Sequence, residues 1–312
     1  MALRPRHARP TCLLGLSLLL VACDPGPTAT RPSGWSGRRA DRDDDGPPIG
    51  SAAVLERPLA GLAPQAVGCG GTAPTSTHPA FEQELVERVN RERALQGLPP
   101  LARNARLDEA ARYHTADMAA DVYFNHDTYD RIGGALTRVC GFGDRVTSFY
   151  PSWGWLGENL ALGQATPADA IAAWMGSAGH RGNILHANYW EIGVGYSAGN
   201  YWAQDFGTPG GSSSTRVVVN GEAASTTDPN VTLYVYGTWT QMRVRNNDGA
   251  WSAWVPFANS STWRLPNLRA THRVTVEVQQ ASTVASDDDT IFLDVPGPNL
   301  PHKLYLPIIM RL

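Results

Sequence analysis

The chain has 312 residues, 42% of them hydrophobic and 18% charged, with 26 Lys and Arg against 29 Asp and Glu for a formal net charge of −3. A length and apolar content of this order suit about two folded domains. Without excess positive charge the chain lacks the electrostatic footprint of a nucleic-acid binder, so no nucleic-acid partner is expected.

Residues 1–22 read as a secretory signal peptide. Arg4, Arg6 and Arg9 precede an apolar run from Cys12 to Ala22, which is shorter than the roughly 20 residues of a membrane-spanning helix. The ending Leu20-Val21-Ala22-Cys23 resembles a bacterial lipobox, in which cleavage before Cys23 exposes that cysteine for lipidation. The expected location is the outer face of a bacterial membrane, reached through the N-terminal lipid; an ordinary cleaved signal would instead give a secreted chain. Residues 23–76, rich in Pro, Gly, Ala, Arg and Asp, read as a disordered tether. Within it Asp41, Asp43 and Asp45 imitate the start of a calcium loop. Pro48 and Ala52 stand where such a loop needs an apolar residue and a bidentate carboxylate, so a solvated charge cluster is expected. Export also settles the cysteines. Cys12 leaves with the signal and Cys23 takes the lipid, which leaves Cys69 and Cys140 in an oxidising compartment where one disulfide is favoured. Both stand in Gly-rich segments that read as turns, 68–71 and 140–143.

Order is expected from about Thr77. Phe81, Leu85, Val86 and Val89 recur at helical spacing to Leu95, and Gly97 with Pro99-Pro100 stops the helix. A second helix places Leu107, Ala110, Ala111, His114 and Met118 on one face and fades near Tyr123. A third begins at Thr166, an N-cap followed by Pro167, and buries Ala170, Ile171, Trp174 and Met175. The period then changes to two: Ile192, Val194 and Tyr196 alternate before a Gly199-Asn200 turn, and 201–206 returns as the partner strand. Helices followed by an antiparallel hairpin make this an α+β segment. Residues 208–214 read as a flexible linker. Seven short apolar runs between turn residues follow, at 217–219, 231–236, 241–245, 251–255, 262–265, 274–278 and 291–293, the pattern of an all-β sandwich. The acidic run Asp287-Asp288-Asp289 is expected to be a solvated turn rather than a calcium site. The apolar ending 305–310 is too short to span a membrane.

Several ordered blocks carry chemistry: Leu85-Val86-x-x-Val89-Asn90-x-x-Arg93, Phe124-x-His126, Gly157-Glu158-Asn159-Leu160-Ala161, Trp174-Met175-x-Ser177-x-Gly179-His180-Arg181-x-Asn183-Ile184-Leu185, Ile192-Gly193-Val194-Gly195, and Tyr201-Trp202-x-Gln204-x-Phe206-Gly207. In order and spacing they resemble the CAP superfamily (cysteine-rich secretory proteins, antigen 5, pathogenesis-related 1), in its bacterial SCP-like branch. The resemblance covers residues 78–208 and implies an α-β-α sandwich. The organisation expected is a signal (1–22), a tether (23–76), a CAP domain (77–208), a linker (209–214), a β-sandwich (215–296) resembling immunoglobulin-like or fibronectin-like modules, and a C-terminal tail (297–312).

The resemblance also implies a shallow cleft lined by two histidines and two acids, the histidines able to hold zinc or another divalent cation. His126 and His180 match the histidines and Glu158 matches one acid. The second acid is missing from its usual helix, where Ser177 stands in that neighbourhood. Two imidazoles and a carboxylate have the ligand types of a zinc centre, and they can equally hydrogen-bond one another without metal. His114, on an apolar helix face, reads as a core histidine, and His186 as cleft or surface. Ser177, three residues before His180, permits a Ser/His pairing but lacks a nucleophile-elbow glycine pattern.

Two functions stay open. In one, His126, Glu158, His180 and Ser177 bind an extracellular ligand, lipid-like or from the cell envelope. In the other, His126, Glu158 and His180 form a metal-dependent peptidase or cell-wall hydrolase in which Glu158 moves the proton. Binding is favoured, because the family carries no uniform reaction and one acid is absent.

Overall fold

The computed structural model describes residues 68–211 and 213–295. The signal, Cys23, most of the tether, the Asp41–Asp45 run and the tail at 297–312 lie outside the described residues.

Four strands form the central sheet of the first domain, in the order β1 (Ala102–Arg103), β5 (Glu191–Ser197), β6 (Tyr201–Pro209) and β4 (Trp153–Leu162). β1 runs parallel to β5 and the other pairs are antiparallel. Alternation along the strands sends Ile192, Val194, Trp202 and Phe206 to one face, where they pack with Leu85 and Val89 of α1 (Pro79–Leu95) and with Ile171 and Trp174 of α4 (Pro167–Gly176). The opposite face sends Leu160, Leu162 and Ala203 against Ala111 and Met118 of α2 (Ala105–Asp121). The result is the expected α-β-α sandwich.

Local chemistry places the helices. Asn104 caps α2 by accepting from the Arg106 and Leu107 amides, and the Thr166 hydroxyl caps α4 by accepting from the Asp169 amide. Gly193 and Gly195 let α2 lie on the backbone of β5: a Cβ on Gly193 would stand 2.0 Å from the Leu107 carbonyl carbon, and one on Gly195 2.4 Å from that of Ala111.

Several elements escaped the sequence reading. A hairpin of β2 (Thr128–Ile132) and β3 (Ala135–Cys140) precedes a short helix, α3 (Phe142–Phe149). The segment 140–143 is therefore a strand end and a helix start rather than a turn. Cys140 bonds to Cys69 with a Cα–Cα separation of 5.7 Å. Order also begins before Thr77, since the Gly68 amide donates to Asp130 and the Tyr113 hydroxyl donates to the Gly68 carbonyl. The helix at Trp174 does not run straight on to His180. Ser177 adopts an extended conformation and starts a separate helix, α5 (Ala178–Ile184).

The second domain is a β-sandwich. One sheet has the order β11 (Val255–Pro256), β10 (Gln241–Asn246), β13 (Ala270–Gln280), β14 (Thr283–Leu293), β8 (Ser225–Thr226); the other has β12 (Ser260–Arg264), β9 (Asn230–Val235), β7 (Val217–Val219). Val217, Val219, Leu233 and Val235 face Val274, Val276, Val278 and Ile291 across its core. The run read as a strand at 251–255 is extended pairing only at Val255–Pro256; before it, Trp251 and Trp254 stack on the Arg243 guanidinium at 4.7 and 4.6 Å. Asp287-Asp288-Asp289 is not a turn. It lies inside β14, and Asp287 and Asp289 accept the Val217 and Val219 amides of β7 at 2.8 and 2.7 Å, joining the two sheets.

The segment read as a flexible linker is partly structured: Thr208 and Pro209 pair with β4, and the Gly210 amide donates to Ser152 at 2.7 Å. The two domains share an interface. Ala102, Val218 and Tyr236 form a small apolar cluster, Trp190 stacks on Tyr236 at 4.9 Å, and the Tyr236 hydroxyl donates to the Pro100 carbonyl. Asn90 donates to Gly221, and the buried Glu191 pairs with Arg216.

Candidate functional site

Glu158 projects from β4 toward the α2 and α3 face, and its side chain is 1% exposed. An isolated carboxylate there would be costly, so it needs partners. Two residues supply them. Arg145 of α3, itself fully buried, donates to Glu158 Oε2 and also to the His126 carbonyl and the Thr128 hydroxyl. His126, in the connection between α2 and β2, meets Glu158 Oε1 through Nδ1 at 2.8 Å. Burial pushes the Glu158 carboxyl up, but Arg145 and His126 outweigh it and hold the group ionised, down at about 2. Burial pushes the His126 imidazole down, and the hydrogen bond and charge of Glu158 reverse this, leaving its pKa raised.

A carboxylate accepts only, so the Nδ1 of His126 carries the proton and Nε2 is the ring atom left to meet a ligand. The His126 side chain is 45% exposed, so that contact is open to solvent.

His180 reaches the same strand by another route. Asn159, next to Glu158, donates to the His180 carbonyl at 3.0 Å, and Asn183 donates to the Glu158 carbonyl and to the Asn159 side chain. These bonds pin α5 to β4 at Glu158's own peptide. The His180 imidazole meets the Ser177 hydroxyl through Nδ1 at 2.9 Å. The structure therefore joins His126 to Glu158 side chain to side chain, and His180 to Ser177 in the adjoining helix, whose backbone is tied to Asn159. His186 lies between Trp155 and Tyr189 in tilted ring contacts, with centroids 5.4 and 4.6 Å away, beside the same strand. Tyr189 approaches so closely that a Cβ on Gly157 would stand 2.2 Å from its hydroxyl.

His114 is a core residue. It is fully buried, its Nε2 meets the Asn125 carbonyl at 2.8 Å, and burial pushes its pKa down to about 3, so it is neutral.

Two residues of the site had no sequence signal. Arg145 lies on a helix with no motif of its own. Asp205 stands directly across from Glu158 in the β4–β6 register and is fully buried. Burial and the neighbouring Glu158 charge push its pKa well above that of a free aspartate, and neither of its carboxyl oxygens has a hydrogen-bond partner. Asp205 is thus a second carboxyl beside Glu158, on another element and fully buried.

With that geometry in hand, residues 86–207 match the CAP family, the cysteine-rich secretory protein family. That segment is a CAP domain. The Bacillus subtilis protein YkwD is 41% identical over 136 residues, 43% of this chain and 49% of that protein. The B. subtilis membrane protein YlbC is 29% identical over 125 residues, 40% of this chain and 34% of that one. The chain thus spans half or less of the length of these relatives. A crystal structure of an extracellular SCP-domain protein from Bacillus anthracis is similar at 25% identity and a TM-score of 0.38, over 44% of this chain and 45% of that one. An outer surface protein of Borrelia burgdorferi is similar at 16% identity and a TM-score of 0.38, over 44% and 98%. No helix among the described residues is long and apolar enough to cross a membrane.

Proposed function

We propose that this chain is an exported CAP-domain protein, tethered to the membrane by lipid on Cys23, that binds an extracellular lipid-like or cell-envelope ligand at the cleft holding His126, Glu158, His180 and Ser177. The observation that carries the reading is the Arg145–Glu158–His126 chain, which fixes an open imidazole on a buried, fully ionised carboxylate. The Cys69–Cys140 disulfide supports an oxidising compartment. The donor types suit a divalent cation such as zinc: His126 offers Nε2, His180 offers a second imidazole, and Glu158 strengthens the first by holding its Nδ1 proton. A bound cation would supply a positive point for an anionic or carbonyl group of the ligand.

The same electrostatics favour binding over hydrolysis. A general base works best with a pKa near the working pH, whereas Glu158 is held at about 2 with both oxygens engaged. The test is capture of bound molecules from native envelope by the full chain, identified by mass spectrometry, beside zinc calorimetry. Wild type is expected to retain a ligand that His126→Ala and the His126→Ala, His180→Ala pair lose. Turnover of peptides or wall fragments that depends on these residues would overturn the binding reading in favour of the hydrolase, and equal zinc affinity of wild type and the double variant would remove the cation.

A further inference from the structure

Away from the cleft, α2, the β2–β3 hairpin and the strap at Gly68 enclose a second polar cluster. Asp117 and Asp121 stand one turn apart on α2, and Asp130 projects from β2. One carboxylate oxygen from each lies within 4.8 Å of the other two. Asp117 is 1% exposed; its Oδ2 accepts from the Tyr123 hydroxyl, while Oδ1 is buried without a hydrogen-bond partner. Asp121 accepts the Arg131 amide at 3.2 Å and Asp130 accepts the Gly68 amide at 3.0 Å. The Arg131 guanidinium, close in sequence, gives its N–H groups to the Gly134 and Asp121 carbonyls rather than to the carboxylates.

We propose that Asp117, Asp121 and Asp130 hold a hard divalent cation, calcium by its chemistry. All three donors are carboxylate oxygens, the ligand type of calcium and magnesium rather than of zinc or copper. Calcium–oxygen distances are about 2.4 Å, so ligands on opposite sides of one ion lie about 4.8 Å apart, and this cluster fits within that span. Burying a carboxylate with an unsatisfied oxygen is costly. The Arg131 and Arg145 charges act on the cluster, but neither guanidinium donates to these carboxylates, and a bound cation would meet the oxygens directly.

The position gives the ion a structural consequence. Asp121 precedes and Asp130 follows the segment that carries His126, and the Gly68 strap held by Asp130 leads directly into the Cys69–Cys140 disulfide. A bound cation fastens both ends of that segment to α2.

Terbium, a calcium surrogate sensitised by nearby aromatic rings, reads the site directly, because Tyr123 touches Asp117. The full chain, stripped with chelator, is expected to give tyrosine-sensitised terbium luminescence that calcium displaces, and about 1 mM calcium is expected to raise Tm by several degrees. Asp117→Asn keeps the side-chain volume and the Tyr123 contact, and should abolish both responses. Asp130→Asn, at a half-buried position, should weaken them at least tenfold, and it keeps the test alive if Asp117→Asn does not fold. A wild type with no calcium-dependent Tm shift and no sensitised luminescence would mean that the three carboxylates only share a proton. That result overturns the proposal, as does an undiminished response in either variant that folds.

Discussion

The CAP domain and the β-sandwich bury different kinds of residue. The first places Glu82, Arg93, Asp108, His114, Asp117, Arg145, Glu158 and Asp205 in its interior, whereas the second buries little that is polar beyond Thr215, His272 and Thr275. In the β-sandwich, Asp287 and Asp289 are spent on the amides of β7, bridging its own two sheets. Buried charge is expensive and is retained where partners are assembled around it. The CAP interior assembles such partners at Glu158, with Arg145 and His126, and at Glu82 and Asp108, with Arg103 and Arg112, while the sandwich is held by alternating apolar faces.

That contrast makes the largest effect one of charge. Arg145→Met should leave Glu158 and His126 without their buried cation and cost about 3–5 kcal/mol in urea unfolding, far more than loss of a surface ion pair. A cost under about 1 kcal/mol would mean that the assembly is not structurally essential. Removing the disulfide by Cys69→Ser with Cys140→Ser should cost about 2–4 kcal/mol, and a reducing agent should lower the wild-type Tm to the level of the variant. An unchanged wild-type Tm on reduction would argue against the bond. Gly193→Ala tests the close packing of α2 on β5. Its Cβ meets the Leu107 backbone, so a loss of about 1–3 kcal/mol is expected by thermal unfolding.

The smallest effect belongs to the sandwich. Burial, partly offset by the Val217 amide and Arg216, pushes Asp287 from 3.8 to about 6. An acid whose folded pKa is raised binds its proton more tightly when folded, so its stability contribution is greatest below about pH 4 and is lost as the pH rises through about 6. Asp287→Asn, which keeps an acceptor for the Val217 amide, should therefore gain up to about 2 kcal/mol relative to wild type between pH 4 and pH 7.5. Urea titrations at the two values check this, and no pH-dependent difference would place Asp287 in solvent.

Elements with a strong period were legible from residues alone. The helix carrying Leu85, Val86 and Val89, the one carrying Leu107 and Met118, the Thr166 cap and the 191–209 hairpin needed only side-chain spacing, and so did most strands of the sandwich. The β2–β3 hairpin, α3 and α5 were not legible. The hairpin is exposed along much of its length, and the two helices have only two turns each, so neither carries a sustained apolar stripe.

The site divides in the same way. By itself the sequence determined the residue types, the order of the His126, Glu158 and His180 motifs, and the pairing of Cys69 with Cys140, because each depends on local pattern or on counting. Only the tertiary structure decided that Arg145 neutralises Glu158, that Asp205 supplies a second carboxyl from the facing strand, and that Asp117 and Asp121 meet Asp130. Those contacts join residues on different elements across a sheet register or a helix–hairpin junction, and their energies come from burial, which no single stretch of sequence carries.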